Sequence, residues 1–288
     1  MTTNKPIIRL KTVGQTKVYE FTTHSKVVVE NQLFENKIES VVEQTLLDQS
    51  PTGDLIGVKI VSTKQTAKDA ASLLIADINE MNQYLVFETD LNGNALSIVN
   101  YLDLGNRWYS LKEKIRFKYG RTAPIEEVCV EFEKNLFKGK KPLLEAMQHK
   151  GLYGVLFSGI YAFNQSPVFD SKRVIKNLFG SLDLPLKMHH ETRAASQETD
   201  TNFYSVGRGV LDETVFKTSE FCLMIRHIHD SFNLKVNLEV NYTEGYILHQ
   251  SDGWIKEAQQ KLKAEVKGVY LNETQHILTL KKQYNARQ

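Results

Sequence analysis

Residues 84–100 read YLVFETDLNGNALSIVN, and this stretch decides the fold class. Two apolar, strand-like runs stand on either side of the pair Asn92-Gly93. Asparagine and glycine tolerate the positive φ angles of a tight turn, so the stretch predicts a hairpin of two antiparallel strands. The protein is therefore expected to contain antiparallel sheet.

The residues before this hairpin predict a strand followed by a helix. The run Leu55–Thr63 places Ile56, Val58 and Ile60 on one face, as an alternating strand does. In residues 65–82 the apolar side chains recur at intervals of three and four, which indicates an amphipathic helix. Farther towards the N-terminus, strands are predicted at residues 8–12, 18–22, 26–30 and 38–47.

The last third of the sequence repeats this order. Residues 254–266 fit either a helix or a strand, and we favour a long strand because a turn at Asp252-Gly253 precedes it. Residues 277–280 offer this strand a return partner. Before it, the patterns predict paired strands at 186–193 and 202–208, a helix at 213–232 and a strand at 234–242.

The middle of the chain is predicted to be mainly helical, from Leu102 to Gly180. Pro124 and Pro142 stand where helices can begin, because proline suits the first turn of a helix. A last short helix is predicted at residues 174–179.

These patterns predict an α+β protein with long antiparallel curved sheet in two β-rich flanks around a central helical insertion. The flanks are residues 1–103 and 181–288, which are expected to pack as one composite domain, and the insertion is residues 104–180. The shared order of the flanks suggests a degenerate internal repeat. The order of elements is broadly similar to that of half-barrel lipoprotein carriers, although no motif carries the resemblance. This similarity implies an apolar pocket on the concave face, filled by the insertion or by a ligand.

The segment 142–163 is the predicted binding element. Within it, residues 152–163 are apolar nearly all round, so they must be buried in the core, inside a curved sheet or against a partner. A central core helix is the simplest interpretation, and a binding surface is the alternative. The predicted binding residues are aromatic: Tyr153, Phe157, Tyr161, Phe163, Trp108 and Trp254.

The composition argues against several classes of protein. The 36 basic and 34 acidic side chains leave a formal charge of +2, and the basic runs are short, so no nucleic-acid partner is expected. No apolar stretch approaches the roughly 20 residues of a membrane-spanning helix. The chain is predicted to be soluble and cytoplasmic as it stands, although a chain trimmed of an export signal would look the same.

No catalytic motif is recognisable, and neither a metal site nor a cofactor is predicted. The sequence lacks HExxH, GxSxG and a glycine-rich phosphate loop. His227 and His229 would share a side only on a strand, whereas their segment is predicted to be a helix. The sequence does not tell whether they meet His189 and His190 in space.

Three functions fit this sequence. The first is a non-enzymatic binding protein that engages a protein partner or an apolar ligand through a concave sheet and the segment 142–163. The second is a structural subunit that joins a larger assembly through its sheet edges. The third is a hydrolase or metal-dependent enzyme with a dispersed site of histidines and carboxylates.

Overall fold

The computed structural model describes residues 8–30, 32–164, 166–194 and 202–281, and eleven strands within these ranges form a single antiparallel sheet. Five strands precede the helical segment: β1 (Thr16–Val29), β2 (Gln32–Gln49), β3 (Gly53–Gln65), β4 (Tyr84–Asp90) and β5 (Ala95–Ile98). Six follow it: β6 (Val168–Phe179), β7 (Leu182–Ala194), β8 (Asn202–Leu211), β9 (Glu239–His249), β10 (Ile255–Val266) and β11 (Tyr270–Leu280).

The helices pack on one face of the sheet, which we call the inner face. Local sequence explains where some of them begin: Asp69 accepts a hydrogen bond from the Ser72 amide, and Pro124 lies in the first turn of its helix. The described ranges contain α1 (Ala70–Asn79), α2 (Tyr101–Tyr119), α3 (Ala123–Leu136), α4 (Lys140–Met147), α5 (Gly151–Leu156) and α6 (Thr218–Ile228), with 3₁₀ helices at Glu80–Asn82 and Ile160–Asn164.

The strand order joins the two ends of the chain. It runs β5-β4-β3-β2-β1-β11-β10-β9-β8-β7-β6, so the first and last strands pair in the middle of the sheet. In each half, three strands lead into a helix and then into a strand that pairs with the one before that helix. The two flanks therefore form one continuous sheet.

The sheet is rolled around its helices. Eleven flat strands would span about 48 Å from edge to edge, because neighbouring strands lie about 4.8 Å apart. Yet α4, a helix of eight residues and about 12 Å in length, contacts both edge strands, β5 and β6. Both edges can reach so short a helix only if the sheet curls towards its inner face.

Two hydrophobic clusters fill the inside of this rolled sheet. The larger one joins the strands to α1–α5 and includes Trp108, Phe157 and Trp254. The smaller one packs α6 on the opposite end of the strands and includes Phe221 and Ile225. The strands alternate accordingly, since Ala258, Gln260, Leu262, Ala264 and Val266 of β10 are all buried on the inner face.

The structure corrects several predicted elements. Residues 174–179 were expected to form a helix, but they belong to edge strand β6, whose inward apolar residues meet the smaller cluster. Residues 234–238 precede β9 and are not strand, and residues 8–12 lie outside the sheet. The strand at residues 254–266 is confirmed as β10. None of the helices in the described ranges is long and apolar enough to cross a membrane.

Candidate functional site

The register of the sheet places a line of polar and small residues straight across the inner face. It crosses six adjacent strands, from β7 through β11 to β1, and each member lies directly opposite the next. We call this line the polar row. Its members, in sheet order, are His190, Gly207, Glu244, Gln260, His276 and Thr23.

The polar row marks the boundary between the two hydrophobic clusters. On β9, Tyr246 belongs to the larger cluster, Tyr242 belongs to the smaller one, and Glu244 stands between them. On β10, Ala258 and Leu262 flank the row in the same way. The inside of the protein is therefore two apolar compartments with a polar seam between them.

A buried ion pair occupies the middle of this seam. Nη1 of Arg173 on β6 lies 2.5 Å from Oε2 of Glu244, and the two side chains are only 4% and 2% exposed. The Arg173 guanidinium also donates to the hydroxyl of Tyr242. Burial alone would lower the pKa of Arg173, but the Glu244 carboxylate more than offsets this effect and raises it. The pair is charged and shielded from water.

Neighbouring side chains complete the hydrogen bonding around Glu244. The amide nitrogen of Gln260 lies 3.1 Å from Oε2 of Glu244 and 3.0 Å from the backbone oxygen of Gly154 in α5, which ties the row to the helices. Nδ1 of His190 lies 3.6 Å from Oε1 of the same carboxylate. Buried charges are tolerated only with such partners, and the Glu244 carboxylate finds them within the protein.

Gly207 makes this close packing possible. A Cβ atom at this position would stand 2.7 Å from Cγ of Glu244 and 3.0 Å from Nδ1 of His190. Only glycine therefore lets these two side chains approach each other across β8.

A cavity of about 320 Å³ lies beside the polar row, on the side of the smaller cluster. Its floor is the inner face of β9–β11 and β1, and β6 forms a wall although it lies far from β1 in the sheet order. The apolar part of the lining is Val27, Ile175, Leu178, Tyr242 and Leu262, and the polar part is Thr23, Ser25, His149, Lys150, Asn177, Gln260, Asn272, Thr274 and His276.

The roof of the cavity is the turn that connects α4 to α5. His149, Lys150 and Gly151 line it there. Burial lowers the pKa of His149 to about 4, so its imidazole is neutral at pH 7. The amide nitrogen of Gln148 lies 2.8 Å from Nε2 of His149, while Nδ1 has no well-formed hydrogen bond within the described ranges.

His276 supplies a second neutral imidazole at the floor of the cavity. Its ring stacks on Phe21 with centroids 5.7 Å apart, and Nδ1 lies 2.9 Å from the hydroxyl of Thr23. Burial lowers the pKa of His276 to about 4. The cavity thus offers apolar surface together with neutral hydrogen-bonding groups.

The aromatic residues predicted as binding residues lie elsewhere, in the larger cluster. Tyr153 and Phe157 pack on Phe87, with ring centroids 5.1 and 4.5 Å apart. The hydroxyl of Tyr161 donates to the backbone oxygen of Gly253. Trp108 and Trp254 are completely buried, and the side chain of Phe163 lies outside the described part of the structure. A binding role for these residues stays a prediction.

The histidines singled out in the sequence do not come together. His189 lies on the outer face of β7 and pairs with Asp170 at 2.7 Å, whereas His190 points inward. His227 belongs to α6, and Nε2 of His229 lies 3.0 Å from the backbone oxygen of Val269. Among the residues that the structure describes, no group of three or more His, Cys, Asp or Glu side chains is placed to hold a metal ion.

A larger hollow of about 610 Å³ lies on the outer face of β7–β11. Its rim is made of exposed side chains such as Arg193, Arg208 and Glu257. Exposed charged groups of this kind are satisfied by water, so the inner cavity is the stronger candidate for a specific site.

Comparisons with known proteins add a distant likeness in fold. Neither a protein-family model nor a curated protein sequence matches the chain. A solved structure described as "Lipid-protein interactions in lipovitellin" is similar over 94% of this chain, with 10% sequence identity and a TM-score of 0.48. The chain spans only 25% of the length of that lipovitellin chain.

The sequence analysis overlooked the polar row, although the sequence carries a signal for it. Glu244 and Gln260 occupy the parity that is otherwise mainly apolar in their strands. A polar residue at a core-facing position of a half-buried strand indicates a buried network or a site. What the sequence could not give is the register that places these residues opposite one another.

Proposed function

We propose that the protein is a non-enzymatic binding protein that holds a small, largely apolar ligand in the inner cavity. The observation that carries this proposal is the cavity itself, a partly open pocket on the inner face of the rolled sheet. Its volume of about 320 Å³ falls in the range of small-molecule sites. The roof residues 149–151 belong to the predicted binding segment 142–163. The proposed ligand contacts the turn within this segment and not its aromatic residues.

The lining supports an apolar ligand. Ile175, Leu178 and Leu262 offer aliphatic surface, and polar side chains between them provide directional hydrogen-bonding groups. This combination of aliphatic walls with hydroxyl, amide and imidazole groups can orient a small ligand that has an apolar body and a polar end.

The chemistry of the seam supports binding without a reaction. The Glu244 carboxylate is already engaged by Arg173, Tyr242 and Gln260, which leaves it poorly placed to act as a base. The two cavity histidines have a pKa near 4, far from the pH at which a general acid or base is most effective.

A cavity-filling variant tests the proposal. Ser25 faces the cavity, and Ser25→Trp places an indole there, whereas Thr22→Trp adds the same bulk on the outer face of the same strand. We expect the wild type to bind Nile red, a neutral apolar dye, with a rise in fluorescence. Ser25→Trp should weaken this binding by about tenfold and Thr22→Trp by less than about twofold.

Two results would overturn the proposal. One is a wild type that binds neither Nile red nor a neutral aliphatic alcohol in calorimetry. The other is equal affinity in the wild type and in Ser25→Trp, with both proteins folded by circular dichroism. Ser25→Leu, a smaller filler, serves if the tryptophan variant does not fold.

A further inference from the structure

We infer that the ligand is a single-chain aliphatic carboxylate, whose acid group is held by Lys150 at the roof of the cavity. The inference rests on the proposed function and adds the chemical class of the ligand. Its basis is the distribution of charge around the cavity.

Lys150 is a cation in the cavity lining that lacks a partner of its own. Its side chain is half-buried, and within the described ranges its ammonium group makes neither an ion pair nor a hydrogen bond. Burial lowers the pKa of Lys150, which shows that the surroundings disfavour the charged form. An anion in the cavity would remove that penalty.

The nearby carboxylates are already committed. Asp183 is the acidic group whose charge reaches Lys150, but its Oδ2 lies 3.0 Å from Nζ of Lys176 and its Oδ1 accepts the backbone amide of Asn177. Glu244, in the polar row itself, is held by Arg173. No acidic side chain lines the cavity itself among the described residues.

The other polar groups of the roof fit the same acid group. Because the amide nitrogen of Gln148 can only donate, Nε2 of His149 must accept and Nδ1 carries the proton. The roof therefore lines the cavity with a lysine that carries an ammonium group and with a neutral histidine whose Nδ1 carries the proton. A carboxylate offers only acceptors, and charge-assisted hydrogen bonds of this kind are stronger than neutral ones.

The lining below the roof indicates the chemical nature of the rest of the ligand. Below the roof lie Val27 and Leu262, and Ile175 and Leu178 line the β6 wall, together with neutral polar groups such as Asn272. A flexible methylene chain can follow such a lining, whereas a second charged group would meet only neutral side chains. A straight-chain carboxylate would place its acid group at the roof and its methylene chain against the apolar lining.

The test compares three ligands that share one chain and differ only in the terminal group. Decanoate, decanol and decylamine are titrated into the protein by calorimetry at pH 7. We expect decanoate to bind about tenfold more tightly than decanol, and decylamine to bind more weakly than decanol.

Substitutions assign this preference to Lys150. Lys150→Met should bring the affinity for decanoate down to that for decanol and leave decanol within about twofold of the wild type. Lys150→Arg keeps the charge and should keep the preference. Lys114→Met, at an exposed lysine on α2 away from the cavity, is the matched control and should behave as the wild type.

The outcomes separate the two proposals. Equal affinities of the wild type for decanoate and decanol overturn the inference while the proposed function stands, and so does a preference that survives in folded Lys150→Met. Failure of the wild type to bind either ligand overturns both. Should Lys150→Met not fold, Lys150→Gln replaces it, and the comparison of acid with alcohol in the wild type still decides.

Discussion

Arg173 and Glu244 come from strands three apart in the sheet, yet their side chains form an ion pair that is almost completely hidden from water. The guanidinium also lies 3.3 Å from the backbone oxygen of Ser158, in the segment that runs beneath the sheet edges. On the other edge, Asn94 forms a bridge with the same Ser158. The pair therefore helps to hold edge strand β6 against the helical segment and thereby to keep the sheet rolled.

Breaking this pair on one side should be costly. Arg173→Met leaves the Glu244 carboxylate buried without its cation, and we expect a loss of about 3–5 kcal/mol in the free energy of unfolding. The double variant Arg173→Met/Glu244→Gln removes the uncompensated charge and should be more stable than Arg173→Met alone. Urea unfolding at pH 7 measures both, and a double variant less stable than the single one would contradict this account.

Gly207 should resist even the smallest side chain. The Cβ of Gly207→Ala would overlap Cγ of Glu244, an atom that the ion pair holds in place, so we expect a loss of about 1–3 kcal/mol in stability. Gly245→Ala on neighbouring β9 is the control, because its Cβ meets nothing closer than 4.0 Å. The control should lie within about 0.5 kcal/mol of the wild type in thermal or urea unfolding. Equal losses in both variants would show that the effect does not come from the polar row.

The cavity histidines should make stability depend on pH. The folded protein holds the pKa of His276 at about 4, whereas an unfolded histidine titrates near about 6.5. Between these values the unfolded state binds more protons, so the stabilisation is present above pH 6.5 and is lost as the pH falls towards 4. His276 alone should account for on the order of 2 kcal/mol between pH 7 and pH 4.5.

Urea unfolding at pH 7 and pH 4.5 tests whether the stability falls as the pH is lowered. His276→Gln cannot titrate and should show a smaller difference between pH 7 and pH 4.5 than the wild type, although its stability at pH 7 is lower. His24→Gln, at an exposed histidine of β1, is the control and should keep the full difference. An unchanged difference in His276→Gln would rule out the assignment.

The elements that the sequence predicted correctly depend on residues that are close together in the chain. The hairpin at Asn92-Gly93 and the strand at 254–266 were found because turn chemistry and alternation are local signals. Strand β6 was missed because its first half carries Asp170, Lys172 and Arg173, which weaken the apolar alternation. Its strand character comes from pairing with β7, which is a tertiary effect.

The site was hidden for a related reason. The polar row joins residues as far apart in sequence as Thr23 and His276, and only the register of the strands aligns them. The roof residues His149 and Lys150 carry no motif, and they become notable only when burial and the absence of partners are known. The aromatic residues were visible in the sequence, but their number reflects a large core.

The last prediction distinguishes a structural role of the aromatic residues in the larger cluster from a role in ligand binding. Phe157 is 2% exposed and packs on Phe87 in the larger cluster, so Phe157→Leu should lower the free energy of unfolding by about 1 kcal/mol or more. The ring does not line the inner cavity, and the affinity for Nile red should therefore stay within about twofold of the wild type. Ser25→Trp should give the opposite pattern, with weaker dye binding from a protein that still unfolds cooperatively. If Phe157→Leu instead weakened binding strongly without loss of stability, the ligand would sit among the aromatic residues of segment 142–163, as the sequence alone had indicated.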